Sequence, residues 1–168
     1  MTNPTDVERA DLLDTLAERR NLFTGTVQGL SDEQARLTPI PSTTLSLGGL
    51  VKHVAATESM WAAFAVHGAP ADRGEPDHAA WADGFRLRPD ESLEGVLAQY
   101  RSQAEVTDEL VRTIDLDSAH PLPEAPWFEP GVAWSARRVF LHVVAETAQH
   151  AGHADLLREA IDGRKSMG

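Results

Sequence analysis

The sequence predicts an all-α protein, a four-helix bundle with long linkers, and three observations carry that expectation. Apolar residues recur at helical spacing in four stretches of roughly 20 to 28 residues. Nothing alternates with strand period for more than a few residues. Segments rich in Pro, Gly and Asp, roughly residues 68–89 and Pro121–Pro130, separate the later stretches. A chain of 168 residues is long enough for one substantial core, so residues 1–168 are expected to form a single domain. Bundles of this type build their sites from facing helices.

The elements follow in order. Val7 to about Leu30 carries Leu13, Leu16, Ala17, Phe23 and Val27 in a helical rhythm. Ser31 with Gln34 reads as a capping box opening a short turn, Ser31 to Leu37, after which Pro39 and Pro41 break the chain. Ser46 is the expected N-cap of a second long helix that carries Leu50, Val51, Val54, Met60, Trp61 and Phe64 and ends near Gly68. Asp90 is placed to cap the third, whose Leu93, Val96, Leu97, Tyr100, Ala104, Leu110, Val111 and Ile114 keep a bundle period. Ser135 caps the last helix, which runs to Gly163, a natural stop.

Charge and composition exclude several classes. A net charge of −11 and a pI near 5.0 oppose binding to nucleic acid or an anionic membrane. The N-terminus, MTNPTDVERADLL, lacks a basic segment followed by an apolar one, and the longest apolar run, Met60 to Val66, is too short to span a bilayer. A cytoplasmic location is expected. There is no cysteine, which rules out disulfides, thiolate ligands and a protein thiol nucleophile. Any metal must be held by nitrogen and oxygen, and any sulfur chemistry needs a thiol from outside.

The segment His142–Gly163, HVVAETAQHAGHADLLREAIDG, is the most informative in the chain. At about 100° per residue it sets His142, Glu146, His150 and His153 within roughly 80° of arc on one helix. Glu146 and His150 are spaced i, i+4 and can reach one ion from consecutive turns. A solvated polar face with incidental histidines is the bland reading, but four aligned groups flanked by Val143, Val144, Ala151, Leu156 and Leu157 favour a metal site. The third ligand must come from another helix. His53, between Leu50 and Val54 in SLGGLVKHVAATE, is the best placed. Gly48 and Gly49 let that helix start pack closely on another backbone. His67, His78 and His120 read as surface residues and Glu58 as a salt-bridge or supporting partner. Trp61, Trp127, Phe128 and Trp134 are pocket wall or packing.

Three motif pieces, LSDEQARLTPIPS, SLGGLVKHVAATE and WSARRVFLHVVAETAQHAGHADLLREAIDG, converge on a family. The chain resembles the DinB/YfiT-like metal-binding superfamily over almost its whole length, specifically an actinobacterial branch related to mycothiol-dependent enzymes. The resemblance implies a four-helix bundle holding a divalent metal through one His of the second helix and two ligands of the fourth. His53 matches the first. His150 matches the His of the family's H-x-G-[QH] segment, and Glu146 stands four residues earlier. That position is His in many DinB-like proteins and Glu in the mycothiol-dependent maleylpyruvate isomerase type, so the His/Glu/His set resembles the latter. His153 stands where many relatives carry Gln.

Three ligands leave coordination positions open, which marks a catalytic site rather than a closed structural one. Metal binding shifts a thiol toward its nucleophilic thiolate. Such a site suits activation of an external thiol, and the resemblance implies that the activity is a mycothiol-dependent S-transferase or isomerase, with a small-molecule thiol and an electrophile as partners and His153 or His142 moving the proton. Zinc is the first expectation for the ion and nickel or iron the next, since such ligands discriminate poorly among them. Arg137, Arg138 and Arg158 are candidate sources of local positive charge in the pocket, with surface solubility the bland and individually favoured reading of each, and a homodimer is a compatible assembly. Two other readings stand beside this one: a metal-dependent hydrolase, and a non-catalytic metal-binding stress-response protein.

Overall fold

The computed structural model describes residues 4–70 and 82–166. Among these residues five helices and one strand pair make up the elements: α1 (Pro4–Gly25), α2 (Asp32–Arg36), α3 (Leu47–His67), α4 (Leu93–Thr113), β1 (Ala119–Pro121), β2 (Ala133–Ser135) and α5 (Ala136–Asp162). The four long helices form the expected all-α bundle. In it α1 packs on α5, α3 packs on both α4 and α5, and a smaller α1–α4 contact closes the ring. The short α2 lies against α3.

Capping explains where most helices begin. Ser31 and Gln34 make the reciprocal capping box. The hydroxyls of Ser46 and Ser135 accept from the backbone N–H of Gly49 and Arg138, each at 3.2 Å. Gly163 ends α5 in the left-handed region at φ 76°. The start of α4 corrects the expectation: Ser92, not Asp90, is its N-cap, accepting from Gly95 N–H. Asp90 instead pairs with Arg88 at 3.4 Å, in a turn closed by Glu91 N–H donating to the Arg88 carbonyl.

α1 also stops earlier than Leu30. Beyond Gly25 the amides of Thr26, Val27 and Gln28 donate to carbonyls three residues back, so the ladder tightens into 3₁₀-type turns. The two strands pair antiparallel, Ala119 with Ser135 and His120 with Trp134, and had no signal at three residues each. Two residues assigned inward face water: Ala17 is exposed while Leu12 takes the buried position, and Met60 is 52% exposed. His120 is half-buried rather than a surface residue, with its ring 6.0 Å from that of Phe64. His67 is exposed as expected, and His78 lies outside the described residues.

The core has two apolar clusters. One surrounds Phe23, Leu47, Val51, Val54 and Tyr100; the other surrounds Leu16, Trp61, Phe64, Val111, Val139 and Phe140. Each long helix contributes a buried polar residue at the level between them: Arg20, Glu58, Thr107 and Thr147. The Arg20 guanidinium donates to Glu58 Oε1 at 2.6 Å and to Asp108 Oδ1 at 2.7 Å. Glu58 is 1% exposed, so its expected salt bridge is an interior one. Burial, reinforced by the Glu58 charge, pushes the Tyr100 phenol pKa up.

A second constraint acts at the start of α3. A Cβ on Gly49 would stand 1.8 Å from the carbonyl oxygen of Phe85, and one on Gly48 2.8 Å from the Leu87 side chain. The chain around residues 85–87 lies directly on the helix here, as the paired glycines suggested.

Two stability measurements check this account. Glu58→Ala should lower the unfolding free energy by about 3 kcal/mol in urea titration, the lower end of the cost of stranding a buried charge because Asp108 still pairs with Arg20. Replacing both partners, Arg20→Met with Glu58→Leu, should recover most of that loss. Gly49→Ala should cost roughly 1–3 kcal/mol through overpacking against backbone. Gly25→Ala, whose Cβ meets nothing within 4 Å, should lose nothing.

Candidate metal centre

α3 and α5 bring the sequence-predicted residues together. The His53 and His150 ring centroids are 4.9 Å apart and nearly perpendicular. His150 Nε2 lies 3.7 Å from Glu146 Oε2, and His142 Nε2 lies 3.4 Å from Glu146 Oε1. On the far side, His150 Nδ1 is 3.4 Å from His153 Nδ1. One row of side chains therefore runs His142, Glu146, His150, His153 along α5, with His53 facing it from α3.

Two neighbours of His53 were not anticipated. Phe85 stacks on its ring at 4.0 Å, held there by the contact of residues 85–87 with the paired glycines. Thr57 Oγ1 lies 3.5 Å from His53 Nε2; its i, i+4 spacing could have revealed it. Phe85 follows a long linker and offered no periodic signal.

The electrostatics favour neutral imidazoles. Burial, helped by the neighbouring His150, pushes the His53 pKa down to about 4. Burial also lowers His150; Glu146 opposes that shift and His153 adds to it. His142 is lowered by burial against the pull of Glu146, with Arg138 adding to the depression. An imidazole must be unprotonated to bind a metal, so this environment keeps the nitrogens in their ligand form. Among the described residues Glu146 has no Lys or Arg within ion-pair distance, only the two histidines.

The spacings can be compared with what an ion requires. Two donors 2.0–2.1 Å from a tetrahedral zinc stand about 3.4 Å apart, and two imidazole centroids around it about 5 Å apart. The 3.7 Å and 4.9 Å separations fit those figures. Among the described residues no group of three or more His, Asp or Glu side chains is placed to hold a metal ion. The donor chemistry and two of the three pairs, His53 with His150 and His150 with Glu146, therefore suit an ion, while the three side chains as placed do not form a complete site.

The expected arginines fare unevenly. Arg158 is 5% exposed and committed to Asp162 and to the carbonyls of Thr26 and Gln28. Arg137 is held by Glu8 and Asp117. Both carry structural roles, neither the pocket charge for which they were candidates nor the free surface solubility favoured for each. Arg138 lies 4.7 Å over the Trp134 ring, and it alone of the three borders the row of histidines.

An aromatic wall closes the His142 end. Trp61 and Trp134 stack at 5.1 Å, and the His142 ring meets both edge-on at 4.7 and 5.0 Å. Beyond Trp61 lies an apolar cavity of about 570 Å³. A larger polar cleft of about 680 Å³, between the end of α1 and the start of α4, contains none of these residues.

Comparison with known proteins agrees with this architecture. A conserved protein from Enterococcus faecalis, known from its crystal structure, superposes with a TM-score of 0.70 at 14% identity, covering 98% of this chain and 100% of that one. At that identity the likeness establishes the fold alone. No curated protein matches the sequence. The profile of the mycothiol S-transferases matches residues 11–163, a span that includes most of α1, the other three long helices and every residue of the histidine row. The chain belongs to the mycothiol S-transferase family.

Proposed function

We propose that this protein transfers the sulfur of mycothiol to an electrophilic carbon, with a divalent metal held by His53, Glu146 and His150. The observation that supports the reading is the meeting of His53 with His150 across two helices, with Glu146 beside His150 on the same face. The absence of cysteine and the family match supply the rest: the thiol comes from the cofactor. Zinc is the preferred ion, with nickel or iron next.

Bound there, the ion supplies a positive charge that stabilises a thiolate over the thiol. The chain's own groups do the remainder. The thiol proton passes to an imidazole nitrogen of His142 or His153, which flank the ligand set at opposite ends. The sulfur lone pair forms the bond to carbon while the leaving group departs with the electrons of its own bond, and the imidazole then releases its proton to that group or to water. Trp61 and Trp134 exclude water from the His142 end, which strengthens the charge interactions within.

Three measurements test the proposal. Protein purified without a His-tag should carry about one metal equivalent per chain, and His150→Ala should weaken that binding roughly 100-fold or more. Full occupancy in His150→Ala would remove the ligand assignment. Metal at 100 times its dissociation constant should add about 2.7 kcal/mol of stability, read as a rise in Tm of about 5–10 °C. Metal-loaded protein should consume mycothiol in the presence of electrophiles, and Glu146→Ala should not. Replacing the proton carrier should cost about 10²–10⁴-fold, so comparing His142→Gln with His153→Gln assigns that role. Metal-dependent ester hydrolysis without thiol would make the protein a hydrolase. Stabilisation by metal with no turnover of any kind would make it a non-catalytic metal-binding module.

A further inference from the structure

We infer that the cavity beyond Trp61 holds the body of the electrophile, and that this substrate is an uncharged aromatic or branched-alkyl compound carrying its reactive carbon on a short arm. The inference rests on the transferase reading above. The cavity, about 570 Å³, is walled by Met60, Trp61, Phe64, Pro123, Trp127 and Phe128, a size and lining suited to a small organic ligand. Among the described residues its one ionisable lining group is the exposed His67. An ionic substrate would find no fixed partner there and would forfeit its hydration.

Two further observations favour an apolar guest. Trp127 is 77% exposed and Met60 52% exposed, large apolar side chains held in water at the rim, where a ligand would cover them. Trp61 is a shared wall. It lines the cavity, while its ring meets Trp134 and the edge of His142. His142 in turn reaches Glu146 at 3.4 Å. A ligand seated in the cavity thus has the Trp61 indole between its body and the row of titratable groups, and the inference requires its arm to part the Trp61 edge from its neighbours to bring the terminal carbon to that row. There the sulfur–carbon bond forms as the bond from carbon to the leaving group breaks. The leaving group takes the electron pair, and the thiol proton goes to the imidazole.

The test uses the full-length, metal-loaded protein. Binding of 1-methylnaphthalene, which cannot react, is followed by tryptophan fluorescence without thiol. Transfer is followed with mycothiol and N-substituted iodoacetamides, which keep the reactive carbon and the iodide leaving group constant while the body grows from methyl to naphthylmethyl. Each buried methylene should raise kcat/KM about fourfold, giving at least a hundredfold across the series. Ala63→Trp, an exposed position on the cavity wall, should weaken probe binding at least tenfold and flatten the series. Trp127→Ala, at the rim, should also weaken it and serves if Ala63→Trp does not fold. Failure of the probe to bind, equal binding by both variants, or a flat series with wild type would overturn the inference. If the probe bound as expected but no iodoacetamide reacted, the transferase reading would fall and with it the electrophile's role, while the cavity would stand as a site for apolar ligands.

Discussion

The ion pair between Arg20 and Glu58 is the constraint on which the rest of the bundle depends. Its two apolar clusters are interchangeable in kind, since aliphatic and aromatic side chains pack in many registers at similar energy. A guanidinium and a carboxylate at 8% and 1% exposure have no such latitude. They must meet each other and Asp108 or remain desolvated without a partner, at several kcal/mol. Because Arg20 is on α1, Glu58 on α3 and Asp108 on α4, the pairing sets the axial position of three helices at once. His53 lies a little over one turn before Glu58. Fixing Glu58 therefore fixes the height at which His53 faces α5.

The histidine row lives with an electrostatic compromise. Several imidazoles near one carboxylate would repel one another if all were protonated. Burial prevents that by lowering the proton affinity of His53, His142 and His150. Glu146 partly restores the affinity of its two neighbours. The outcome is a cluster rich in lone pairs with little net positive charge, suited to a cation from solution. Phe85, stacked on His53, adds to that burial from a loop whose approach depends on the missing Cβ of Gly49.

The sequence was most informative where physics is local. Serine caps at 31, 46 and 135 and the αL glycine at 163 were readable because each acts within a few residues. The row from His142 to His153 was readable because helical period alone sets it. Asp90 misled because two good capping residues stand two positions apart, and an arginine claims the first. Met60 and Ala17 misled because periodicity gives a stripe without its edges. The roles of Arg137 and Arg158 were out of reach, since Glu8 and the Thr26 carbonyl are more than a hundred residues away. So was Phe85, whose partner lies across a linker that carries no period at all.

The strand pair, though small, acts as an index mark for α5. Ser135 ends β2 and caps the helix, while the next two amides donate across the gap, Ala136 to the Ser118 carbonyl and Arg137 to the Leu116 carbonyl. The first free N–H groups of α5 are thus tied to a fixed piece of chain, which sets the rotation of the helix about its own axis. One residue gained or lost between Ser135 and His142 would swing the whole histidine row by about 100°, out of reach of α3. The same change between Leu122 and Val132, whose ends are bridged by a hydrogen bond of 2.9 Å, would be absorbed in the loop. Over evolutionary time, length variation should be confined to that loop and barred from the seven residues that follow the ribbon.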